Sequence, residues 1–290
     1  MSRNLLHDAA MCLSLSLLGA CADKAGDSGE ASDLFTLVAP GLAGVDTSPD
    51  PDAAFIYAVG QGDEGGAIWR VDAEGGEVET LLSGDLLVAP VGLAVGDGVV
   101  YVADEGGVLA VSTSTGEASA FGPGWSPAGL DLRADGGLVA VGTSEAGAPV
   151  VATLSAEGAL TEVDAGGLLE RPSGVAVAPD GALYVSMGED LSSGSILKID
   201  AEGVASVFAS GLGLGEPAGL ALTLDGGTLL VSGLVDGSDQ VYAFDTSTRE
   251  HSTITDGIAQ NQQAGGVHRA LRVNVFSWAD RAAGVYRVNP

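Results

Sequence analysis

The sequence predicts an all-β fold, a six-bladed β-propeller of four-stranded blades, and three observations carry that prediction. Glycine accounts for 45 of 290 residues while aromatic residues make up only 5%, a composition that suits many short, tightly turned strands. A small-residue turn entering an apolar run recurs six times, from Leu42, Pro90, Pro127, Pro172, Pro217 and Ala264. Its aligned glycines, Gly44, Gly92, Gly129, Gly174, Gly219 and Gly266, are spaced by about 37 to 48 residues, the length of one propeller blade.

Each repeat is laid out in the same order. The glycine opens the first strand. The second reads FIYAVG, VVYVAD, LVAVGT, LYVSMG, LLVSGL and VFSWAD in turn, and the third IWRVD, VLAVS, VATLS, ILKID, VYAFD and VYRVN. Aliphatic, β-branched and Tyr residues dominate these runs, and Gly, Asp, Asn and Pro bound them. The third strands end on the turn formers Asp72, Ser112, Ser155, Asp200, Asp245 and Asn289. A fourth strand closes five units: VETLLSG, ASAFGPG, LTEVDAG, ASVFASG and STITDG. The sixth has none of its own before Pro290, but residues 33–41, DLFTLVAPG, match that column. The N-terminal strand is therefore expected to join the last blade, which closes the ring and removes its free edges. No stretch of residues 33–290 keeps a capped helical period for three turns.

Ahead of residue 33 the reading changes. Arg3, the apolar stretch 9–20 and the ending Leu18-Gly19-Ala20-Cys21 read as an export signal whose apolar run is too short to span a bilayer. LGAC resembles the bacterial lipoprotein signal-peptidase motif, which implies a signal peptide over 1–20 and lipidation of Cys21. An ordinary signal with an incidental cysteine is the alternative. Residues 21–32, rich in Ala, Gly, Ser, Asp and Glu, read as a flexible tether. The protein is thus expected to be an exported monomer, anchored as a lipoprotein on the periplasmic or cell-surface side and touching membrane through its anchor alone.

Charge and cysteine count exclude several functions. A formal net charge of −28 makes nucleic acid and anionic lipid surfaces poor partners. It serves either solubility or the binding of cations and neutral ligands. Cys12 and Cys21 are the only cysteines, so cleavage would leave the folded domain without a disulfide framework or thiolate metal site.

The run PSGVAVAPDGALYVS followed by ILKIDAEG, residues 172–186 and 196–203, resembles the repeats of NHL-type and gluconolactonase-like propellers, and the likeness extends over nearly all of 33–290. The resemblance implies a divalent metal, calcium above all, held in the channel by oxygen ligands. At the corresponding positions this chain has Ala43, Val91, Ala128, Ser173, Ala218 and Gly265, a ring that cannot coordinate a metal through side chains. A second propeller type, the streptogramin-inactivating lyases, implies a histidine base. Only His251 and His268 follow the signal, and His268, at the start of an inner strand, can approach the channel.

Candidate sites follow from the loops that share one face. Every second-to-third-strand loop carries a carboxylate, predicting an acidic rim or merely solvated turns. Within it Trp278, Asp280 and Arg281 form a candidate recognition surface, joined by Trp125 on the same face, since Trp and Arg anchor ligands and partners. Trp69 is expected to pack within its blade. If a metal is held, rim carboxylates Asp104, Glu189 and Asp236 are its candidate ligands. Gly211, Gly213 and Gly215 precede a strand, so they read as an inter-blade loop rather than a phosphate loop. Asp50-Pro51-Asp52 reads as a turn. Nucleophile-elbow and zinc-protease motifs are absent from the sequence. The functional expectation is a binding module for a protein, peptide or glycan at the cell envelope, with no catalytic residue and no cofactor assigned. The alternative is a lactonase-like hydrolase or lyase using calcium held by the rim.

Overall fold

The computed structural model describes residues 34–188, 193–236, 238–254 and 264–290; the signal peptide, Cys21, the tether and Glu189 lie outside them. The described residues contain no helix and form six antiparallel four-stranded sheets. Strand β1 (Phe35–Pro40) comes first. Blade I follows as β2 (Gly44–Pro49), β3 (Phe55–Gly62), β4 (Gly65–Asp72) and β5 (Glu79–Ser83), and blade II as β6 (Gly92–Gly96), β7 (Val99–Asp104), β8 (Gly107–Ser112) and β9 (Ala118–Pro123). Blade III is β10 (Trp125–Leu132), β11 (Leu138–Ser144), β12 (Pro149–Leu154) and β13 (Leu160–Glu162). Blade IV is β14 (Pro172–Val177), β15 (Leu183–Met187), β16 (Gly194–Ile199) and β17 (Ala205–Leu212). Blade V is β18 (Leu220–Leu222), β19 (Thr228–Val235), β20 (Ser238–Asp245) and β21 (His251–Thr253). Blade VI is β22 (Ala264–Arg269), β23 (Phe276–Asp280) and β24 (Gly284–Val288), completed by β1. Pairing of Phe35 with Val288 through Pro40 with Gly284 closes the ring as the repeat pattern predicts.

Burial explains why alternation is hard to see in the middle strands. A blade is sandwiched by two neighbours, so both faces of its inner strands are dry; β15 is buried at every position. The outermost strands are exposed, as along β13 and β21. The core among the described residues is six apolar clusters, one for each blade–blade interface. Trp69 packs against the cluster between blades VI and I.

Much of the acidity is turn chemistry. Each third-strand turn former from Asp72 to Asp245 accepts a hydrogen bond from the backbone N–H two residues on: 2.9 Å to Asp72, 3.4 Å to Ser112, 3.2 Å to Ser155, 3.1 Å to Asp200 and 2.9 Å to Asp245. Such side chains close turns that the backbone alone leaves open. The Ser247 hydroxyl, then the N–H groups of Thr248 and Ser247, hold the Asp245 carboxyl down to about 2. At the same end of the blades Asp50, Asp135, Asp180 and Asp225 do likewise for the first hairpin. Asp50-Pro51-Asp52 is therefore a turn, and Asp52 pairs with Arg272, which also reaches Asp97.

Candidate functional site

The glycine column owes its regularity to the crowding of the innermost strands. A Cβ on Gly92 would lie 2.7 Å from Ala128 O and on Gly129 2.6 Å from Ser173 O; in blade VI it is Gly265, one residue before the column, whose Cβ would lie 2.5 Å from Val45 O. On Gly174 it would strike Ala218 O and on Gly219 the backbone of Gly266 and Val267. Successive blades touch backbone to backbone here, a contact only glycine permits. The ring is accordingly tight at this level, with space of only about 10 Å³ beside Asp46, His268 and the glycines.

Two residues beyond the glycine stand Asp46, Ala94, Asp131, Ala176, Ala221 and His268. Inner-strand edges carry N–H groups without a strand partner, and carboxylates satisfy some of them. Asp131 Oδ2 accepts from Val177 N of blade IV at 2.7 Å and Oδ1 from Leu132 N at 2.8 Å. Asp46 Oδ2 accepts from Leu93 N of blade II at 3.0 Å and lies 3.1 Å from His268 Nε2 of blade VI, while Oδ1 accepts from Thr47 N. One carboxylate thus ties three blades. His268 is buried. Burial pulls its pKa down, but the charge and hydrogen bond of Asp46 and the charge of Asp131 push it up further, so the net shift is upward. Burial raises Asp131 against the opposing pull of His268 and its backbone donors. The space beside His268, Asp131 and Arg269 is about 20 Å³, room for water and not for a substrate. The guanidinium of Arg269 is turned to the carbonyls of Leu222, Ala270 and Leu271.

A larger cavity, about 380 Å³, opens at the end of the ring where the inner strands begin, between blades III and V. Thr143, Arg171, Ser173 and Glu216 supply its polar groups and Ala128, Leu214 and Ala218 part of its apolar wall. Ser173 Oγ accepts from Ala218 N at 3.0 Å, which fixes the wall between blades IV and V.

The residues singled out from the sequence are not gathered into one surface. Trp278 is fully buried between blades V and VI, where Nε1 donates to Ser232 Oγ at 3.0 Å and the ring packs on Phe35 and Tyr286. Trp125 is buried between blades II and III and donates to Gly122 O at 3.0 Å. Neither indole presents a face to solvent. Asp280 is buried; Oδ1 accepts from Ala282 N and Ala283 N, and Oδ2 is without a hydrogen-bond partner. Arg281 reaches over to Glu216 O at the cavity. Asp104 is buried with both oxygens taken by Val88 N and Ala89 N, at 2.9 and 2.6 Å. Asp236 is exposed at the β19–β20 turn. Among the described residues no three His, Cys, Asp or Glu side chains come together to hold a metal. Ser173, the single hydroxyl among the six residues preceding the glycines, is already an acceptor, so the residues described do not fit a calcium ion.

The sequence reading overlooked Asp46 and Asp131. The signal was present: a carboxylate two residues beyond the column glycine, where three other repeats hold Ala. Gly211 to Gly215 end β17 and cross to blade V, an inter-blade connection.

No family model matches the chain, and none of the curated proteins matches it in sequence. Solved structures do. A gluconolactonase from Xanthomonas campestris superposes with a TM-score of 0.64 at 17% identity, over 88% of this chain and 89% of its own. The calcium-binding protein regucalcin from Agrobacterium tumefaciens gives 0.61 at 15%, over 88% and 93%. A streptogramin B lyase gives 0.61 at 12%, over 88% and 97%. These likenesses establish the six-bladed propeller predicted from the repeats; at such identities they speak to fold alone.

Proposed function

We propose that the protein is an exported, lipid-anchored binding propeller of the cell envelope, which holds a protein, peptide or glycan partner in the cavity between blades III and V. One observation carries this reading. At the end of the ring where the inner strands begin, that cavity is roomy, of mixed polar and apolar lining and within the size range of ligand sites, whereas the channel's ionisable groups are engaged with one another and with backbone where no substrate fits. Thr143 and Glu216 offer a hydroxyl donor and carboxylate acceptors, which suits peptide groups and sugar hydroxyls.

The test is a peptide and glycan array probed with the purified full chain and with Thr143→Trp, which fills the cavity. A ligand retained by the wild type is expected to bind the variant about tenfold or more weakly. Binding indifferent to Thr143→Trp and to Glu216→Lys would remove the cavity from the account. For the anchor, labelled fatty acid is expected on the wild type and not on Cys21→Ser, which should leave the membrane fraction. Equal labelling of the two would refute lipidation at that residue.

A further inference from the structure

On the same face as the cavity, but at blades I and II, the connection from β5 to β6 displays apolar side chains to solvent. Leu86 is 65% exposed, Val88 57% and Val91 37%. Leu87, between the first two, is buried as the loop's anchor, with Gly66 packed so closely against it that no Cβ would fit. The loop is held along its length. Leu87 N donates to Gly84 O, Gly66 N to Leu87 O, Gln61 Nε2 to Val88 O, and Val91 N to Ala103 O. Asp104 completes the clamp with both carboxylate oxygens. A buried carboxylate spent on two loop N–H groups keeps Leu86 and Val88 from folding inward, and a loop so fixed loses little freedom on binding.

Exposed apolar residues rimmed by polar ones mark partner sites, and here the rim has one sign. The turns that clamp the loop carry Asp63, Glu64 and Glu105, and the loop itself Asp85, all exposed. Residues 61–66, 83–91 and 103–107 contain no Lys or Arg. We infer that the loop 84–91 is a preformed docking surface for a cationic, amphipathic segment of a protein partner, whose apolar side chains cover Leu86, Val88 and Val91 while its Lys or Arg residues meet the four carboxylates. Anionic lipid is excluded as occupant by the same charges. The inference rests on the binding reading above and names a partner class for it, but its surface lies on other blades, so the two fail separately.

The test measures fluorescence anisotropy of labelled synthetic peptides of equal length with the full chain: alternating lysine and leucine, lysine and serine, or glutamate and leucine. Phosphatidylglycerol vesicles form a fourth arm. The lysine–leucine peptide is expected to bind, and to bind about tenfold or more weakly to a Leu86→Ser, Val88→Ser variant that keeps its thermal midpoint. The lysine–serine peptide should lose as much on the wild type, added salt should weaken the complex, and Thr143→Trp should leave it unchanged. The inference is overturned by a wild type that ignores the lysine–leucine peptide, by equal binding to the double variant, or by vesicle binding that the double variant abolishes. Loss of lysine–leucine binding on Thr143→Trp, with none on the double variant, would leave the cavity reading standing and sink this one.

Discussion

Gly129→Ala is expected to lower the stability of the folded ring by about 3 kcal/mol, toward the upper end of what one added methyl costs in a packed interior. The new Cβ would sit 2.6 Å from Ser173 O and 2.7 Å from Gly174 Cα. Both are backbone atoms of the next blade, which has its own glycine pressed against the one after, so the displacement has nowhere to dissipate. Gly96→Ala is the control on a neighbouring inner strand. Its Cβ would meet Leu132 Cδ1 at 3.3 Å, the far end of a side chain that can rotate away, and its effect should stay below about 1 kcal/mol. Denaturant unfolding of the two variants beside the wild type decides the matter. Equal midpoints would mean that the inner ring is looser than described.

Asp46→Ala should destabilise the fold by about 3 to 5 kcal/mol, because it leaves the buried His268 ring and the Leu93 N–H together without their acceptor. Asp46→Asn separates the parts: an amide oxygen still accepts from Leu93 N, but His268 loses its counter-charge. The pH dependence then has a definite sign. His268 has a folded pKa above its ordinary value near 6.5, so the folded state binds the proton more tightly. The stability this supplies is complete below pH ~6.5 and is lost as pH rises through the folded value. Asp131, raised by burial, also takes up a proton on folding, so its share is lost as pH climbs above the ordinary carboxylate range. Wild-type stability should therefore fall from mildly acidic to alkaline pH, and in Asp46→Asn the part above pH ~6.5 should flatten. A wild-type profile that rises over that interval would show that His268 is neutral in the folded protein.

The fold was legible because its constraints are local and repeated. Backbone contact between blades demands glycine at one position in blades II to V, and Asx and Ser turns demand Asp or Ser at another, so both columns stand out from the residues between them. The ionisable groups of the channel are not repeated, and stayed hidden for that reason. Asp46, Asp131 and His268 occupy one column that elsewhere holds Ala, so no pattern drew attention to it. Asp104 reads in sequence like any other rim carboxylate; its partners are the backbone N–H groups of Val88 and Ala89, 16 and 15 residues back in the chain. Trp278 failed for another reason. In a blade with both faces buried, alternation carries no information about which face meets solvent, and an aromatic near a loop resembles a surface anchor while filling an interface.

The closure of blade VI also sets the order in which the molecule can be completed. Strand β1 is among the first parts of the domain to be synthesised, yet its partner β24 lies at the far end of the described chain. Until β24 exists, FTLVAP is an apolar strand with both edges open, and the interface between blades VI and I, built from Val38, Ala39 and Val285 on one side and Ile56, Ala58 and Val71 on the other, cannot assemble. Contacts of such sequence separation form late, after the local hairpins, since the loop they close is the whole domain. Blades I to V can therefore gather one by one as the polypeptide emerges, while ring closure waits for the last strand. Loss of residues 284–288 would leave every earlier blade intact in sequence and the ring permanently ajar.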